Sequence, residues 1–264
     1  MKPNVDADDF QTKLKAAGID GAIVISCPPG SFAKTSEHSD WNERLLYVLK
    51  IFKTYNNIYP FFWIDPTADD ALEQVQVAAD AGIAGFKVIC GHFYPSDLRP
   101  METYKAIAKA GKPILFHSGI LWDGQDSARY NRPGEFECLL NVPNLKFALA
   151  HVSWPWCDEC IAVYGKFLNA KSNRPDMSSE MFIDLTPGTP TIYRKEVLTK
   201  IFTVGYNVNS NVIFGSDCLA EDYGYNYANE WIERDKKIYS ELDLDAETVN
   251  KVFGENLKRF LGLI

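Results

Sequence analysis

Three polar side chains in this sequence stand at or just after the ends of short apolar segments. His117 ends the segment PILFH, His151 ends KFALAH, and Asp217 follows NVIF. If these segments are parallel strands of one barrel, their carboxyl ends meet at the same rim and the three side chains converge. Two imidazole nitrogens and one carboxylate leave a coordination position open for water, as in catalytic zinc sites. The pattern therefore predicts a divalent metal ion, zinc by preference, bound by His117, His151 and Asp217.

Such an ion would lower the pKa of its bound water from 15.7 to about 7, so that hydroxide forms at neutral pH. We expect Asp217 to accept a proton from that water and His151 to take part in catalysis. A single buried histidine is more often a hydrogen-bonded core residue than a metal ligand, and each histidine taken alone favours that structural role. Together, with an acidic residue after the last apolar segment, they favour a site, provided that the segments form a barrel.

Other residues near these segments are candidates for substrate binding: Trp122, Arg129, Tyr130, Trp154 and His92. The first three lie on a polar loop, residues 122–132, that follows His117. Arg129 and Tyr130 would bind an anionic substrate there, although a solvated loop is the ordinary alternative. Trp154 follows His151 closely and would form a wall of the pocket or pack in the core.

Lys87, Asp184 and the pair Cys157 and Cys160 have structural alternatives that we favour over a function. Lys87 could be carbamylated and bridge two metals, but a lysine on a strand more often pairs with an acid. Asp184 is expected to cap a turn. The Cys-x-x-Cys lacks the second pair that a closed zinc site requires, so helix packing is its expected role. All six cysteines are expected to be reduced thiols.

Seven β-rich apolar segments alternate with eight amphipathic helical patterns along the chain. Their near-continuous hydrophobicity is typical of parallel strands buried on both faces. The alternation, without a Gly-rich phosphate loop, predicts a single-domain TIM-type (β/α) barrel over residues 1–264. Such a barrel normally has eight strands, so the first strand is apparently missing. The predicted strands are 22–26, 59–64, 85–89, 113–117, 146–151, 181–185 and 211–214.

Composition excludes several classes of protein. The net charge of −8 argues against nucleic acid as a partner, because a phosphate backbone requires a basic surface. No segment approaches the roughly 20 apolar residues of a membrane span, and the N-terminus lacks the apolar core of a signal peptide. We therefore expect a soluble cytoplasmic protein with a small-molecule substrate.

The segments FHSG (116–119), LAHVSWPW (149–156), FGSDC (214–218) and GENLKRFLGL (254–263) resemble the amidohydrolase superfamily. The similar branch is the amidohydrolase-2 type, which holds predicted TIM-barrel metal-dependent hydrolases and relatives of aminocarboxymuconate-semialdehyde decarboxylase. The resemblance implies that His117 and His151 are metal ligands and that Asp217 is both ligand and proton shuttle. It also implies that Gly254 and Asn256 seal the final helix against the barrel.

One departure from this resemblance concerns the first strand. The family begins with a strand that ends in His-x-His and supplies two metal ligands, and this motif does not occur here. The strand count points to the same missing element. Either the sequence begins inside its natural reading frame or part of the metal site has been lost. With fewer ligands, metal affinity is expected to fall steeply.

Three functions remain open at this point. The first is a metal-dependent hydrolase of a small amide, lactone or ester, and the second is a metal-dependent non-oxidative decarboxylase of a small unsaturated or aromatic carboxylate. The third is a metal-free barrel with a binding role only. A barrel without one strand leaves backbone groups unpaired on both flanking strands, so we expect a homodimer, or residues 1–10 covering the gap.

Overall fold

The computed structural model describes residues 5–32, 40–53, 55–174 and 178–264. It forms one sheet of seven parallel strands, each paired with its neighbours in sequence. The strands are β1 Ala22–Ile25, β2 Ile58–Trp63, β3 Gly85–Val88, β4 Ile114–Phe116, β5 Lys146–Leu149, β6 Glu180–Asp184 and β7 Val212–Ile213. The helices are α1 Ala7–Ala16, α2 Trp41–Phe52, α3 Ala71–Asp80, α4 Leu98–Lys109, α5 Cys157–Asn173, α6 Thr191–Thr203, α7 Tyr225–Glu241, α8 Ala246–Asn250 and α9 Asn256–Phe260.

This arrangement confirms the predicted TIM-type barrel with one strand missing. Each predicted strand is present, and no end is shifted by more than two residues. The sheet curls with helices on its outside, and within the described residues β1 and β7 each have one partner strand only. The final predicted helix is divided into α8 and α9 by a π-helical stretch, Lys251–Glu255.

Alternate residues of each strand point into the barrel, as the period of two requires. Phe260 of α9 closes this interior core, with its ring centroid 5.1 Å from that of Phe182 and 6.3 Å from that of Phe61. Gly85 makes room for Phe61, because a Cβ at Gly85 would lie 2.3 Å from Phe61 Cζ. The interior core contains Phe61, Leu115, Ala148, Ala150, Phe182, Ile213 and Phe260.

Helix α1 connects the two sides of the opening in the sheet. Its Phe10 lies 5.7 Å from Phe52 of α2 and 5.4 Å from Tyr223, just before α7, measured between ring centroids. The outer layer is therefore continuous across the gap, although the sheet is open there. This agrees in part with the expectation that residues 1–10 cover the gap; residues 1–4 lie outside the described part.

Two polar contacts hold the last elements in place. Arg194 of α6 and Asp235 of α7 form a fully buried ion pair with two hydrogen bonds, of 2.9 and 2.6 Å. Asn256 donates from Nδ2 to the carbonyls of Asn209 and Val212, both at 2.8 Å. Asn256 thus fastens the final helix to β7, the structural role that the resemblance implied. Among the described residues, no helix has the length and apolar character needed to cross a membrane.

Candidate active site

The alternation within the strands directs three polar side chains into the barrel interior. Lys87 points inward two residues after Gly85, His117 two residues after Leu115, and Asp184 two residues after Phe182. Because all three stand at or just after the carboxyl ends of their strands, they share one rim with His151 and Asp217. These five side chains line a cavity of about 1560 Å³, which also extends along β1 into the opening of the sheet.

The two predicted metal-ligand histidines are neighbours. The ring centroids of His117 and His151 are 5.1 Å apart. His117 is 8% exposed, and its buried Nε2 has no hydrogen-bond partner among the described residues. Burial lowers the pKa of His117 well below its ordinary value, and the nearby His151 and Lys87 lower it further. The His117 imidazole is therefore neutral at pH 7.

His151 is held by a turn that follows β5 and by the segment after β6. Thr186 Oγ1 lies 3.1 Å from His151 Nδ1 and accepts a hydrogen bond of 3.3 Å from the His151 backbone N–H. Gly188 lies against the ring, since a Cβ at that position would be 2.6 Å from His151 Cβ. Burial lowers the pKa of His151; the charge of Lys87 adds to this effect, and the carboxylate of Asp184 opposes it.

Two of the predicted site residues have a left-handed backbone. His151 has φ of 61°, as the first of three consecutive positive values, and Asp217 has φ of 54°. Such conformations cost about 1–3 kcal/mol each in non-glycine residues and concentrate at functional sites. The backbone thus turns sharply where it presents both side chains to the cavity.

The two carboxylates differ in their surroundings. Asp184 is buried and accepts a hydrogen bond of 2.5 Å from the Thr186 backbone, which confirms its expected role in capping a turn. Asp217 faces the open cavity, and the surrounding protein still disfavours its charge. Desolvation raises the pKa of both carboxyl groups, while the charge of Lys87 opposes the rise.

Lys87 is 6% exposed. The charges of Asp217 and Asp184 act on its amino group, but it forms no ion pair with either carboxylate. No carboxylate of the described residues lies within 4.0 Å of its Nζ. The expectation that this lysine pairs with an acid is therefore wrong. Burial lowers the pKa of Lys87 to about 8, and the charges of Asp217 and Asp184 offset only part of that effect.

The described residues do not complete the predicted metal site. The unpartnered Nε2 of His117 beside His151 fits a bound ion. No group of three His, Cys, Asp or Glu side chains in the described part of the chain is placed to hold one, however. The two histidines are thus neighbours, and Asp217 lines the same cavity without completing a three-ligand group in the described residues.

Three of the substrate-binding candidates border a cavity. Trp122 and Trp154 line the large cavity; Trp122 is 84% exposed, whereas Trp154 packs on Tyr193 with ring centroids 4.8 Å apart. His92 lines a separate cavity of about 150 Å³ and has its Nε2 3.4 Å from Thr67 Oγ1.

Arg129 and Tyr130 line neither of these cavities. The Arg129 guanidinium lies 3.4 Å from Asp126, three residues earlier, and donates a hydrogen bond of 3.0 Å to the Tyr130 hydroxyl. Tyr130 packs edge-on against Tyr94. The guanidinium is thus engaged within its own loop, and the geometry gives no support to its predicted role as an anion clamp.

The Cys-x-x-Cys motif packs as expected. Cys157 and Cys160 begin α5 and both are buried, and the six cysteines, all within the described residues, form no disulfide. Burial raises the pKa of the Cys157 thiol to about 11 and that of Cys160 to about 12. Protonated thiols of this kind are poor nucleophiles and poor metal ligands, which supports a packing role.

Comparisons with known proteins agree with this architecture. The family model described as Amidohydrolase matches residues 30–263. A 2,6-dihydroxybenzoate decarboxylase from Rhizobium superposes with a TM-score of 0.66 at 13% identity, over 97% of this chain and 88% of that one. A probable 2-pyrone-4,6-dicarboxylic acid hydrolase from Acinetobacter baumannii gives 0.62 at 12% identity, over 97% and 88%. A dihydroorotase from Campylobacter jejuni gives 0.58 at 15%, over 97% and 79%.

The match of the family model covers most of the sequence, and the chain belongs to the amidohydrolase family. The similarity to the three solved structures, at 15% identity or less, shows the shared fold. A comparison with curated protein sequences finds no match.

Proposed function

We propose that this chain hydrolyses a small carbonyl compound, such as an amide, lactone or ester, in the cavity at the carboxyl ends of its strands. The observation that carries the proposal is that His117, His151 and Asp217 all line one cavity, although they come from distant parts of the sequence. Membership of the amidohydrolase family supports this reaction class.

The cavity contains groups for both halves of a hydrolysis. Asp217 faces the open cavity and would accept a proton from the attacking water, while the nearby Lys87 charge favours the ionised carboxylate. His151, neutral at pH 7, would donate a hydrogen bond to the carbonyl oxygen as negative charge develops there. Thr186 and Gly188 hold the imidazole for this task.

A divalent ion would lower the pKa of a water molecule bound to it and polarise the carbonyl group. Because the described residues contain no complete three-ligand group, the proposed hydrolysis uses the groups of the chain alone.

Hydrolysis of a panel of small lactones, aryl esters and anilides tests the proposal. Asp217→Asn and His151→Ala should each lower kcat/KM by about 10²–10⁴. Asp222→Asn is the matched control, because this carboxylate is exposed and lies five residues further on. Turnover that survives both site substitutions would contradict the proposal.

The two alternatives predict different results. A decarboxylase would release carbon dioxide from small unsaturated or aromatic carboxylates and would not hydrolyse the panel. A barrel with a binding role only would show neither activity.

A further inference from the structure

We propose that Lys87 is an amine nucleophile, which forms an imine with small aldehydes or ketones that enter the cavity. This activity goes beyond the proposed hydrolysis and does not depend on it.

Lys87 occupies a position on β3 from which its amine faces the cavity. Its side chain points into the barrel at the end of β3, where it lines the large cavity beside His117 and Asp184. The residue at the same level on the next strand is Leu115, so the stem of the lysine lies against apolar surface. A carbonyl compound in the cavity can therefore approach the amine.

The amino group of Lys87 has no permanent partner among the described residues. In the described part of the chain, no carboxylate forms an ion pair with Lys87 and no group forms a hydrogen bond with it. A lysine fully paired with an acid would have its nitrogen occupied. Here the amino group is buried yet available, which is the setting in which lysines act as nucleophiles.

Five titratable groups face the amine of Lys87. They are Asp217, Asp184, His117, His151 and Cys90. Burial outweighs these charges and favours the neutral amine, which agrees with the position of Lys87 in the cavity and with its missing ion pair.

The covalent chemistry is balanced without any redox partner. The neutral nitrogen forms a bond to the carbonyl carbon while the C=O π bond breaks, and one proton of the nitrogen passes to the oxygen to give a carbinolamine. The carboxylate of Asp217 or Asp184, both of which face the amine, takes the remaining proton from the nitrogen and passes it to the hydroxyl, so that the C–O bond breaks and water leaves. One aldehyde or ketone and one amine thus give one imine and one water.

Two other lysines offer matched comparisons. Lys236 and Lys258 border the same cavity, but both side chains are exposed, and Lys236 forms an ion pair of 3.0 Å with Glu233. If proximity to the cavity were sufficient, these lysines would react as readily as Lys87.

Reductive trapping tests the inference on the full chain. The protein is incubated at pH 8 with acetaldehyde or pyruvate at limiting concentration, cyanoborohydride is added, and the adducts are counted by intact mass and located by peptide mapping. We expect one early adduct on Lys87, its loss in Lys87→Met and its retention in Lys258→Met. An adduct distribution led by exposed lysines, or early labelling that persists in Lys87→Met, would overturn the inference.

A second measurement guards against misfolding of the variant. In the unsubstituted protein, the labelling rate of the Lys87 peptide is compared with that of the Lys258 peptide, before and after unfolding in urea. The Lys87 rate should exceed the Lys258 rate at least tenfold in the folded state only. Equal rates in the folded state would contradict the inference, and because no hydrolytic substrate is present, this result leaves the proposed hydrolysis unaffected.

Discussion

Buried titratable side chains dominate the cavity at the scale of single residues. Lys87, His117 and Asp184 are buried at the barrel rim, and each is shifted towards its neutral form. Shifts of this kind, in a cavity and with named neighbours, are typical of active sites. Burying side chains that would be charged in water lowers the free energy of unfolding of the chain.

That cost predicts the pH dependence of stability at Lys87. The folded chain releases the proton near pH 8, whereas the unfolded chain retains it to about 10.5. Between these values the unfolded state binds more protons, so the free energy of unfolding rises with pH. Lys87→Met should therefore stabilise the protein at pH 7 by on the order of 3 kcal/mol, with the advantage disappearing by pH 10.5.

Urea unfolding of both proteins at pH 7 and pH 10 measures this difference. A Lys87→Met variant that is equally destabilised at both pH values would show that the lysine is stabilised by an ion pair in solution.

Metal binding at His117 and His151 stays a prediction. With two imidazoles and no third ligand beside them in the described residues, affinity should be weak. After dialysis the purified protein should hold less than about 0.1 equivalent of zinc, as measured by elemental analysis. One full equivalent of bound zinc that is lost in His117→Ala would contradict this. It would also mean that the missing ligand lies outside the described residues.

At the scale of elements, the strands could be predicted because parallel strands buried on both faces are apolar throughout. The same alternation explains why His117 points into the barrel, whereas His151 and Asp217 follow the ends of β5 and β7 and are directed to the cavity by the backbone after those strands. The contact of Thr186 with His151 spans 35 residues and could not be read from local sequence. The positive φ values of His151 and Asp217 also have no local signal, since neither residue is a glycine.

One expectation was wrong and another stays a prediction. Lys87 was expected to pair with an acid, but no carboxylate of the described residues lies within ion-pair distance of it. The substrate-binding role of Arg129 stays a prediction; Asp126 stands three residues before it, and this spacing was a visible sign of a local ion pair.

The attachment of α6 to α7 gives a prediction at this scale. Asp235→Ala would leave Arg194 charged and buried, so it should lower the free energy of unfolding by about 3–5 kcal/mol. Glu241→Ala is the matched control, because Glu241 pairs with Lys195 between the same two helices at the surface, and it should cost less than about 1 kcal/mol. Chemical denaturation compares the two, and equal losses would contradict the buried pair's role.

For the whole molecule, the main feature is a barrel whose sheet is open while its helical layer is closed by α1. Two short strands, β1 and β7, border the opening, and within the described residues each pairs with a single strand. The large cavity continues into this opening, so the site and the gap form one concave surface.

The homodimer stays a prediction that follows from these edges. Pairing of the open strands with a second copy would satisfy their backbone groups. Sedimentation velocity should give the mass of a dimer of the 29.8 kDa chain at micromolar concentration. A single species with the monomer mass would indicate that α1 covers the opening sufficiently.

The central claim is that His151 and Asp217 act together as one hydrolytic site. Steady-state kinetics of His151→Ala, Asp217→Asn and the double variant, on whichever ester, lactone or amide the protein hydrolyses, test this most directly. Because groups that act as a unit are not additive, the double variant should lose little more kcat/KM than the worse single variant. Losses that multiply, or a single variant with full activity, would contradict the account.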